Sequence, residues 1–322
     1  MDIAILDDYQ DAVRHLDAFA LLNGHRVRVL NEALTNTDVL ADVEALVLIR
    51  ERTQITPELL ASLPKLKLIS QTGKISNHIR LDDCTAAGVA VAEGIGSPVA
   101  PSELCWALIM AASRHIPAYV ANLQRGLWQN SGSLGLGRNL NGLTFGVWGY
   151  GKIGQRVARY AEAFGMRVMV WGSESSRSKA QSDGYTAARD KQEFFASADI
   201  LSLHLRLNDA TREVVRYEDL QQMKPHALFV NISRAELVEQ GALVRALESG
   251  TPGFAALDVF ESEPLSLDKE PLLTMPNVLC TPHLGYVEKN SYELYFDAAF
   301  RNVLAFDRGE PSNIANPEVL GC

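Results

Sequence analysis

Cysteine is scarce in this sequence of 322 residues. The four that occur are Cys84, Cys105, Cys280 and Cys322. They form no Cys-x-x-Cys pair, and none is grouped with histidine at the spacing of a zinc site. We therefore expect no metal centre, and a reducing compartment such as the cytoplasm fits this cysteine content.

Long apolar runs and an excess of basic residues are also missing. The longest apolar stretches, such as residues 107–112, are far shorter than the roughly 18 residues that a membrane span needs. The chain enters an apolar segment at Asp2 without the basic region of a secretory signal. Lys and Arg total 30 against 39 Asp and Glu, for a net charge of -9, so we expect neither a nucleic acid nor a membrane as partner.

Short aliphatic runs alternate with amphipathic stretches along the chain, which is typical of βα units that feed parallel sheets. The length exceeds that of one hydrophobic core, so two domains are expected. Predicted strands lie near residues 2–6, 26–30, 45–48, 66–70 and 89–91 in the first series, and near 144–148, 167–171, 200–203, 228–231, 254–258 and 278–280 in the second. Residues 122–141, rich in Gly, Ser and Asn around Trp128, are predicted to form a long loop or arm.

A glycine-rich turn, Gly149-Tyr150-Gly151-Lys152-Ile153-Gly154, lies between a predicted strand and a predicted helix. Alone, this pattern is weak evidence, because glycine also marks ordinary turns. A second strand completes a βαβ unit here, and that context favours dinucleotide binding. We expect Gly149 to make the tight turn, Gly151 to let the backbone approach the pyrophosphate, and Gly154 to let the helix pack closely on the strand.

The acidic residue that usually ends the second strand of such a unit is absent, and Gly172 follows the strand instead. The next polar residues are Ser173, Glu174, Ser175, Arg177 and Lys179. Without the acidic residue, the main electrostatic objection to a 2′-phosphate disappears, and the hydroxyl groups and cations offer partners for it. Glu174 could instead bind the ribose diol of NAD. The pattern favours NADP(H) and leaves NAD(H) open.

Three later segments each follow a strand of the second series. They are Asn231-Ile232-Ser233-Arg234, Leu257-Asp258-Val259-Phe260-Glu261-Ser262-Glu263-Pro264 and Thr281-Pro282-His283-Leu284-Gly285. Groups that follow parallel strands face the ligand crevice of an open α/β sheet, so the arginine, glutamate and histidine are expected to converge. Together with the glycine turn, and in this order and spacing, the segments give the chain a resemblance to the D-isomer-specific 2-hydroxyacid dehydrogenase family over nearly its whole length.

The resemblance implies that Arg234, Glu263 and His283 form the catalytic set. Hydride transfer to a 2-keto acid places negative charge on the carbonyl oxygen, and a histidine can protonate that oxygen near neutral pH. Glu263 would orient the imidazole, and Arg234 would bind the substrate carboxylate and polarise the carbonyl group. Asp258 would contact the nicotinamide carboxamide, and Ile232 and His204 are further candidates for cofactor contact.

The resemblance also places substrate contacts in the first domain. The matching loop contains Gly73, Lys74 and Ile75. Lys74, Ile75 and Ser76 occupy positions where the family more often has small residues, and this departure predicts a narrower or more polar pocket. Arg50 and Arg52 are candidates for binding a second anionic group of the substrate. A surface ion pair with Glu51 explains these arginines equally well.

The implied fold is α/β, with two doubly wound parallel-sheet domains. Residues 1–98 and 287–322 would form a flavodoxin-like substrate domain, and a Rossmann dinucleotide-binding domain, residues 99–286, would be inserted into it. The family and the arm around Trp128 suggest a homodimer.

The leading interpretation is an oxidoreductase that uses NAD(P)H to reduce small 2-keto acids such as glyoxylate or hydroxypyruvate to 2-hydroxy acids. Oxidation of phosphoglycerate is an alternative if Arg50 or Arg52 faces the substrate. A dinucleotide-sensing binding protein without turnover is a third hypothesis, although a sensor has less need of an acid–base histidine.

Overall fold

The computed structural model describes residues 1–265 and 270–321, so that Cys322 lies outside the described residues. The chain divides into two compact units, Met1–Ser97 with Val287–Cys322 and Pro98–Tyr286. The strands are β1 (Asp2–Ile5), β2 (Arg26–Val29), β3 (Ala45–Leu48), β4 (Leu68–Gln71), β5 (Ala90–Ala92), β6 (Thr144–Trp148), β7 (Arg167–Trp171), β8 (Thr186–Ala187), β9 (Ile200–Leu203), β10 (Leu228–Asn231), β11 (Phe254–Leu257) and β12 (Val278–Cys280). The α-helices are α1 (Pro57–Ala61), α2 (Leu81–Ala86), α3 (Val99–Ser113), α4 (Ile116–Gln124), α5 (Lys152–Ala163), α6 (Glu174–Ser182), α7 (Lys191–Ser197), α8 (Tyr217–Leu220), α9 (Ala242–Glu248) and α10 (Lys289–Asp307).

The first unit contains a parallel sheet of five strands in the order β2-β1-β3-β4-β5. All four residues of β3 are buried, as expected for a parallel strand that is covered on both faces. Helix α10 returns to this unit and covers β4, where the Ser70 hydroxyl donates to the Ala299 carbonyl at 2.9 Å. The strand order is the doubly wound, flavodoxin-like arrangement expected from the sequence.

The second unit contains a parallel sheet of seven strands in the order β12-β11-β10-β9-β6-β7-β8. Strand β6 is central, with later strands on both sides, so the winding direction reverses between β6 and β9. Ligands bind at such reversals in open α/β sheets, outside the carboxyl ends of the strands. The sheet has an aromatic-rich core on one side, where Trp148, Phe194 and Phe195 make edge-to-face contacts with one another. This is the Rossmann arrangement expected from the sequence.

The predicted strand limits agree with the structure most closely in the second series, where five strands have the expected bounds. Strand β11 ends one residue early, and β8, a two-residue edge strand, is too short to produce an alternating pattern and was not predicted. In the first series, β4 begins at Leu68 rather than residue 66, because Leu66 belongs to a turn in which its N–H donates to Leu63.

Helix limits also differ slightly from the sequence predictions. The predicted arm begins at residue 122, but α4 extends to Gln124, and a short 3-10 helix, Gly132–Leu134, lies within the arm. Pro57 begins α1 as predicted, with the Thr56 hydroxyl accepting from the Leu59 N–H at 3.2 Å.

Candidate functional site

The glycine-rich turn joins β6 to α5, and each of its glycines has its own structural reason. Gly149 has φ +99°, and a Cβ there would lie 2.5 Å from the His204 carbonyl oxygen. A Cβ at Gly154 would lie 2.1 Å from the Gly149 carbonyl oxygen, so the close contact between helix and turn excludes any larger residue. A Cβ at Gly151 would meet no atom within 4 Å. The open space at Gly151 is where the backbone can admit a phosphate.

The amino end of α5 is suited to an anion. Gly151 is its N-cap and provides no capping side chain, so the first N–H groups of the helix remain available for a ligand. The Tyr150 side chain is buried, and its hydroxyl donates to Asp183 at 3.0 Å, while burial raises the pKa of the phenol. Tyr150 can therefore serve a ligand only through its backbone. Lys152 is exposed, and Ile153 packs against the core.

A hydroxyl cluster follows the carboxyl end of β7. Gly172 has φ +151°, and Ser173 caps α6 by accepting from the Ser176 N–H at 3.3 Å. The Ser173 hydroxyl also lies 2.9 Å from that of Ser175 and 3.1 Å from that of Ser176. The guanidinium carbon of Arg177 lies 5.0 Å from the ring centroid of Trp171. Hydroxyl groups and a guanidinium are thus collected where an acidic residue is usual.

The remaining side chains of this region behave differently. Glu174 is exposed at the start of α6. Lys179 is engaged by Asp183, with 2.5 Å between its ammonium and the carboxylate. Among the cations after β7, Arg177 is therefore the better placed to bind a ligand phosphate.

His204 follows β9, and its backbone N–H donates at 2.8 Å to the carbonyl of Trp148, the last residue of β6 before the glycine turn. Burial lowers the pKa of its imidazole to about 3, so the ring is neutral at physiological pH. Neither ring nitrogen has a hydrogen-bond partner within the described residues. A bound cofactor could supply such a partner.

Ile232 is nearly buried and belongs to the core, which leaves it only a small exposed surface.

His283 and Glu263 form a direct pair. The His283 Nδ1 atom lies 2.6 Å from a Glu263 carboxylate oxygen, and the other carboxylate oxygen accepts from the Phe260 N–H at 2.9 Å. Their side chains are 23% and 34% exposed, so both can be reached by a small ligand. Because Glu263 occupies Nδ1, Nε2 is left to exchange a proton with a substrate.

Arg234 lies after β10. Because the sheet order is β12-β11-β10, the three catalytic candidates follow three consecutive strands. Its backbone is fixed by Asn231, whose side-chain amide donates to the Arg234 carbonyl at 2.8 Å. The same Asn231 side chain accepts from the Ser233 N–H at 2.9 Å. One guanidinium nitrogen donates to the Ser233 carbonyl at 2.6 Å, which orients the planar donor group.

Asp258 is completely buried beneath the loop that carries His283. One carboxylate oxygen accepts from the Thr281 hydroxyl at 2.6 Å and from the Leu284 N–H at 2.7 Å, and the other accepts from the Gly285 N–H at 2.8 Å. Burial raises the pKa of Asp258, although these hydrogen bonds act in the opposite direction. The carboxylate thus holds the Thr281–Gly285 loop, which the sequence did not indicate.

In the first unit, Arg50 and Gly73 fit together. A Cβ at Gly73 would lie 1.8 Å from the Arg50 Nη1 atom, so the guanidinium rests in the space that glycine leaves free. Arg50 has φ +54°, and its N–H donates to the Thr72 hydroxyl at 3.0 Å. Glu51 is 3.7 Å from the Arg50 Nε atom. The arginine is therefore fixed to the predicted substrate loop.

The other predicted substrate residues have partners within the same unit. Glu93, after β5, accepts from the Lys74 ammonium at 2.7 Å and from the Ile75 N–H at 3.0 Å. Arg52 donates to the Asp7 carbonyl at 2.6 Å and lies over the Tyr9 ring at 4.9 Å. Sequence reasoning missed Glu93, and the signal was available, because an acid that follows β5 lies beside the loop that follows the paired strand β4.

Neither a metal-binding cluster nor a single membrane-spanning helix is found among the described residues. Within residues 1–265 and 270–321, no group of His, Cys, Asp and Glu side chains could hold a metal ion. Over the same residues, no single helix is long and apolar enough to cross a membrane, and α3 with α4 meets the length and composition criteria only as a pair bent by 63°.

Comparison with known proteins identifies the family of the chain. Residues 106–285 match the family described as D-isomer specific 2-hydroxyacid dehydrogenase, NAD binding domain. A glyoxylate reductase of Thermococcus litoralis is 33% identical over 87% of this chain and 85% of its own. A crystal structure of a phosphoglycerate oxidoreductase from Vibrio cholerae o395 is 62% identical, with a TM-score of 0.94, over 96% of this chain and 99% of that chain.

A D-3-phosphoglycerate dehydrogenase of Methanocaldococcus jannaschii is 34% identical over 86% of this chain, which spans only 52% of that relative. The match to the dinucleotide-binding family covers more than half of the sequence, and it includes the glycine turn, Arg234, Glu263 and His283. The chain belongs to the D-isomer specific 2-hydroxyacid dehydrogenase family and is an oxidoreductase with a nicotinamide dinucleotide cofactor.

Proposed function

We propose that the protein reduces small 2-keto acids of the glyoxylate or hydroxypyruvate kind to D-2-hydroxy acids. The observation that carries this proposal is the His283–Glu263 pair, joined at 2.6 Å after neighbouring strands of the dinucleotide-binding unit. The dinucleotide, when bound, supplies the hydride to the carbonyl carbon. The names of the glyoxylate reductase relatives support the same class of substrate.

His283 provides the proton in this proposal. As the carbonyl carbon gains a hydride, the oxygen gains negative charge, and the proton on Nε2 moves to that oxygen. Glu263 fixes the ring through Nδ1 and stabilises the charged imidazole that must be present before the transfer. In the reverse direction the neutral ring accepts the proton of the hydroxyl group.

Arg234 binds the substrate carboxylate and the carbonyl oxygen. Its planar group can donate two parallel hydrogen bonds to a carboxylate, and its positive charge stabilises the developing oxyanion. The hydrogen bond to the Ser233 carbonyl restricts the guanidinium before substrate binds. Substrate binding then costs less conformational entropy.

For the cofactor, we propose that the pyrophosphate binds the glycine turn at the amino end of α5 and that the protein prefers NADP(H). The open Cβ space at Gly151 supports the first statement. The Ser173, Ser175 and Arg177 group after β7 supports the second, because it offers donors to a 2′-phosphate. Glu174, exposed in the same segment, is the residue that would instead favour the ribose diol of NAD(H).

Asp258, His204 and Ile232 remain the proposed cofactor neighbours near the nicotinamide end. Support for His204 comes from its buried ring nitrogens, which lack partners within the described residues. Support for Asp258 comes from its place directly after β11. Its oxygens already bind the His283 loop, so any carboxamide contact would be additional to that role.

We propose a cytoplasmic homodimer formed through α4 and the arm. This segment exposes a set of large apolar side chains that is unusual for a monomer surface. They are Ile116, Val120, Leu123, Leu127, Trp128 and Leu136, with Trp128 78% and Leu136 92% exposed. Light scattering of Trp128→Asp against the unmodified protein tests this interface, and a dimer that survives the charge would contradict it.

Phosphoglycerate oxidation is the second candidate, and the Arg50–Gly73 contact favours it. A guanidinium fixed on the substrate loop could bind a second anionic group of a substrate, such as a phosphate. The phosphoglycerate oxidoreductase relatives are consistent with this alternative.

One assay decides among these functions. Loss of absorbance at the nicotinamide band is followed with NADPH and with NADH against glyoxylate, hydroxypyruvate, pyruvate, bulkier 2-keto acids and phosphohydroxypyruvate. Turnover of the small acids with NADPH is the expected result. A strong preference for phosphohydroxypyruvate would establish the second candidate. Dinucleotide binding without turnover of any of these acids would leave only a sensor.

A further inference from the structure

Trp171 touches both parts of the proposed NADP site. Its backbone carbonyl accepts from the Gly149 N–H at 3.1 Å, which joins the end of β7 to the glycine turn. Its ring lies 5.0 Å from the Arg177 guanidinium carbon. One residue thus connects the expected pyrophosphate position with the cation expected at the 2′-phosphate.

The ring itself is held firmly. Trp171 pairs with Trp148 in the β6–β7 register and packs against the core of the dinucleotide-binding unit. Arg177 lies in the first half of α6 and makes no ion pair within the described part of the chain. Its Nε atom is buried and has no hydrogen-bond partner among those residues. The indole contact is therefore the main interaction that restrains the guanidinium.

A restrained arginine binds a phosphate better than a mobile one, because less side-chain entropy is lost on binding. Lys179, on the same helix, is instead engaged by Asp183 at 2.5 Å. The two cations are therefore held by different partners, one by an aromatic face that leaves its charge available and one by a carboxylate that neutralises it.

We propose that Trp171 is a positioning residue for cofactor choice, which holds Arg177 against the indole face so that its donors meet the 2′-phosphate of NADP(H). The inference rests on the NADP preference proposed above. It adds a specificity determinant that does not itself contact the phosphate.

The test compares binding of adenosine 2′,5′-bisphosphate and adenosine 5′-monophosphate by calorimetry on the full chain. These probes differ in the 2′-phosphate and need no catalysis. Trp171→Leu should weaken the bisphosphate two- to fivefold, the range expected for an exposed cation–π contact, and leave the monophosphate within twofold. Trp171→Phe, which keeps an aromatic face, should restore most of the preference. Arg177→Ala should weaken the bisphosphate about tenfold or more, because it removes charge-assisted hydrogen bonds.

Two further variants keep the inference testable if Trp171→Leu does not fold. Arg177→Lys keeps the charge without the stacked planar group and should also lose bisphosphate affinity. Lys179→Ala is the matched control on the same helix and should change neither probe. In the Arg177→Ala background, Trp171→Leu should have no further effect, because the tryptophan is proposed to act through the arginine.

The outcomes separate the two proposals. If the unmodified protein binds both probes equally, the proposed NADP preference fails, and the role of Trp171 fails with it. If the unmodified protein prefers the bisphosphate but Trp171→Leu and Arg177→Lys keep that preference, only the positioning role is overturned. Additive losses in the double variant would likewise overturn it.

Discussion

Replacing Asp258 with Asn should disturb the loop that carries His283 without touching His283 itself. The carboxylate accepts three hydrogen bonds, two on one oxygen from Thr281 and Leu284, and one on the other from Gly285. An amide has a single acceptor oxygen. If that oxygen keeps the first two bonds, the amide nitrogen must face the Gly285 N–H, and two donors then meet in a buried site.

The size of the effect follows from these contacts. A hydrogen bond to a charged acceptor contributes about 1.5–3 kcal/mol, and a buried N–H left without a partner costs about 1–3 kcal/mol. Part of this is offset, because the variant no longer buries a charge, and burial is what raises the pKa of Asp258. We expect a net loss of about 2–4 kcal/mol in the free energy of unfolding. Displacement of His283 by about 1 Å would lower kcat about 100-fold.

Equilibrium unfolding in urea measures the first quantity, and steady-state kinetics at saturating cofactor measures the second. Asp199→Asn is the matched control, because Asp199 is also buried and also accepts a backbone N–H, that of Thr144 at 2.8 Å. Asp199 precedes β9, whereas His283 follows β12. In a parallel sheet, they therefore lie at the amino and the carboxyl ends of the strands, respectively. The control should lose stability but keep the kcat of the unmodified protein.

Two results would refute this reasoning. An Asp258→Asn variant with an unchanged kcat would mean that the carboxylate does not position His283. A variant whose kcat is intact and whose KM for the cofactor alone has risen would mean that Asp258 acts on the cofactor rather than on the loop.

Three other predictions concern single residues. His283→Ala should lower kcat about 10²- to 10⁴-fold while the dissociation constant of the dinucleotide stays within twofold; near-normal turnover would exclude it as the proton donor. Gly73→Ala should displace the end of the Arg50 side chain, so the free energy of unfolding should change by only about 0.5 kcal/mol while KM for phosphohydroxypyruvate rises several-fold. Burial raises the pKa of Asp199, but Lys224 and the Thr144 N–H outweigh it, and the net pKa is lowered. Its contribution to stability is therefore present above the unfolded pKa near 3.8 and is lost as pH falls through the lower folded value, so unfolding curves of the unmodified protein and of Asp199→Asn should converge in acid.

Most of the fold could be predicted because its central strands, such as β3 and β9, are buried on both faces. Strand β3, Ala45-Leu46-Val47-Leu48, is a short continuous apolar run, which is the pattern expected of a parallel strand covered on both faces. Gln71 shows the limit of this reasoning. The predicted strand ends at residue 70, before this polar side chain, whereas β4 includes Gln71 as its last residue, paired with Leu48, and the Gln71 amide donates to the Arg50 carbonyl at 2.9 Å. A buried polar side chain with a tertiary partner has no local signature.

The contact between two of the catalytic candidates could be predicted for a related reason. Each follows a strand, and parallel strands have their carboxyl ends on the same side of the sheet, so the strand order was enough to expect Glu263 near His283, and their side chains are 2.6 Å apart. Arg234 follows the adjoining strand β10, and its part in the site stays a prediction. The hydrogen bonds that hold the loop carrying His283 could not be predicted. Asp258 was expected to meet the cofactor, whereas its three hydrogen bonds to the Thr281–Gly285 loop depend on packing that no sequence spacing encodes.

The Arg50–Gly73 contact bears on whether Arg50 is functional or only a surface ion-pair partner. Gly73 does not have the left-handed backbone that usually explains a glycine, so its missing side chain is explained by the guanidinium that occupies the space. Arg50 itself has φ +54°, a conformation that costs a non-glycine residue on the order of 1 kcal/mol. The ion pair with Glu51, 3.7 Å long between partly buried side chains, requires neither feature. The combination favours a guanidinium held in place for an anionic ligand. A KM increase in Gly73→Ala would support this interpretation.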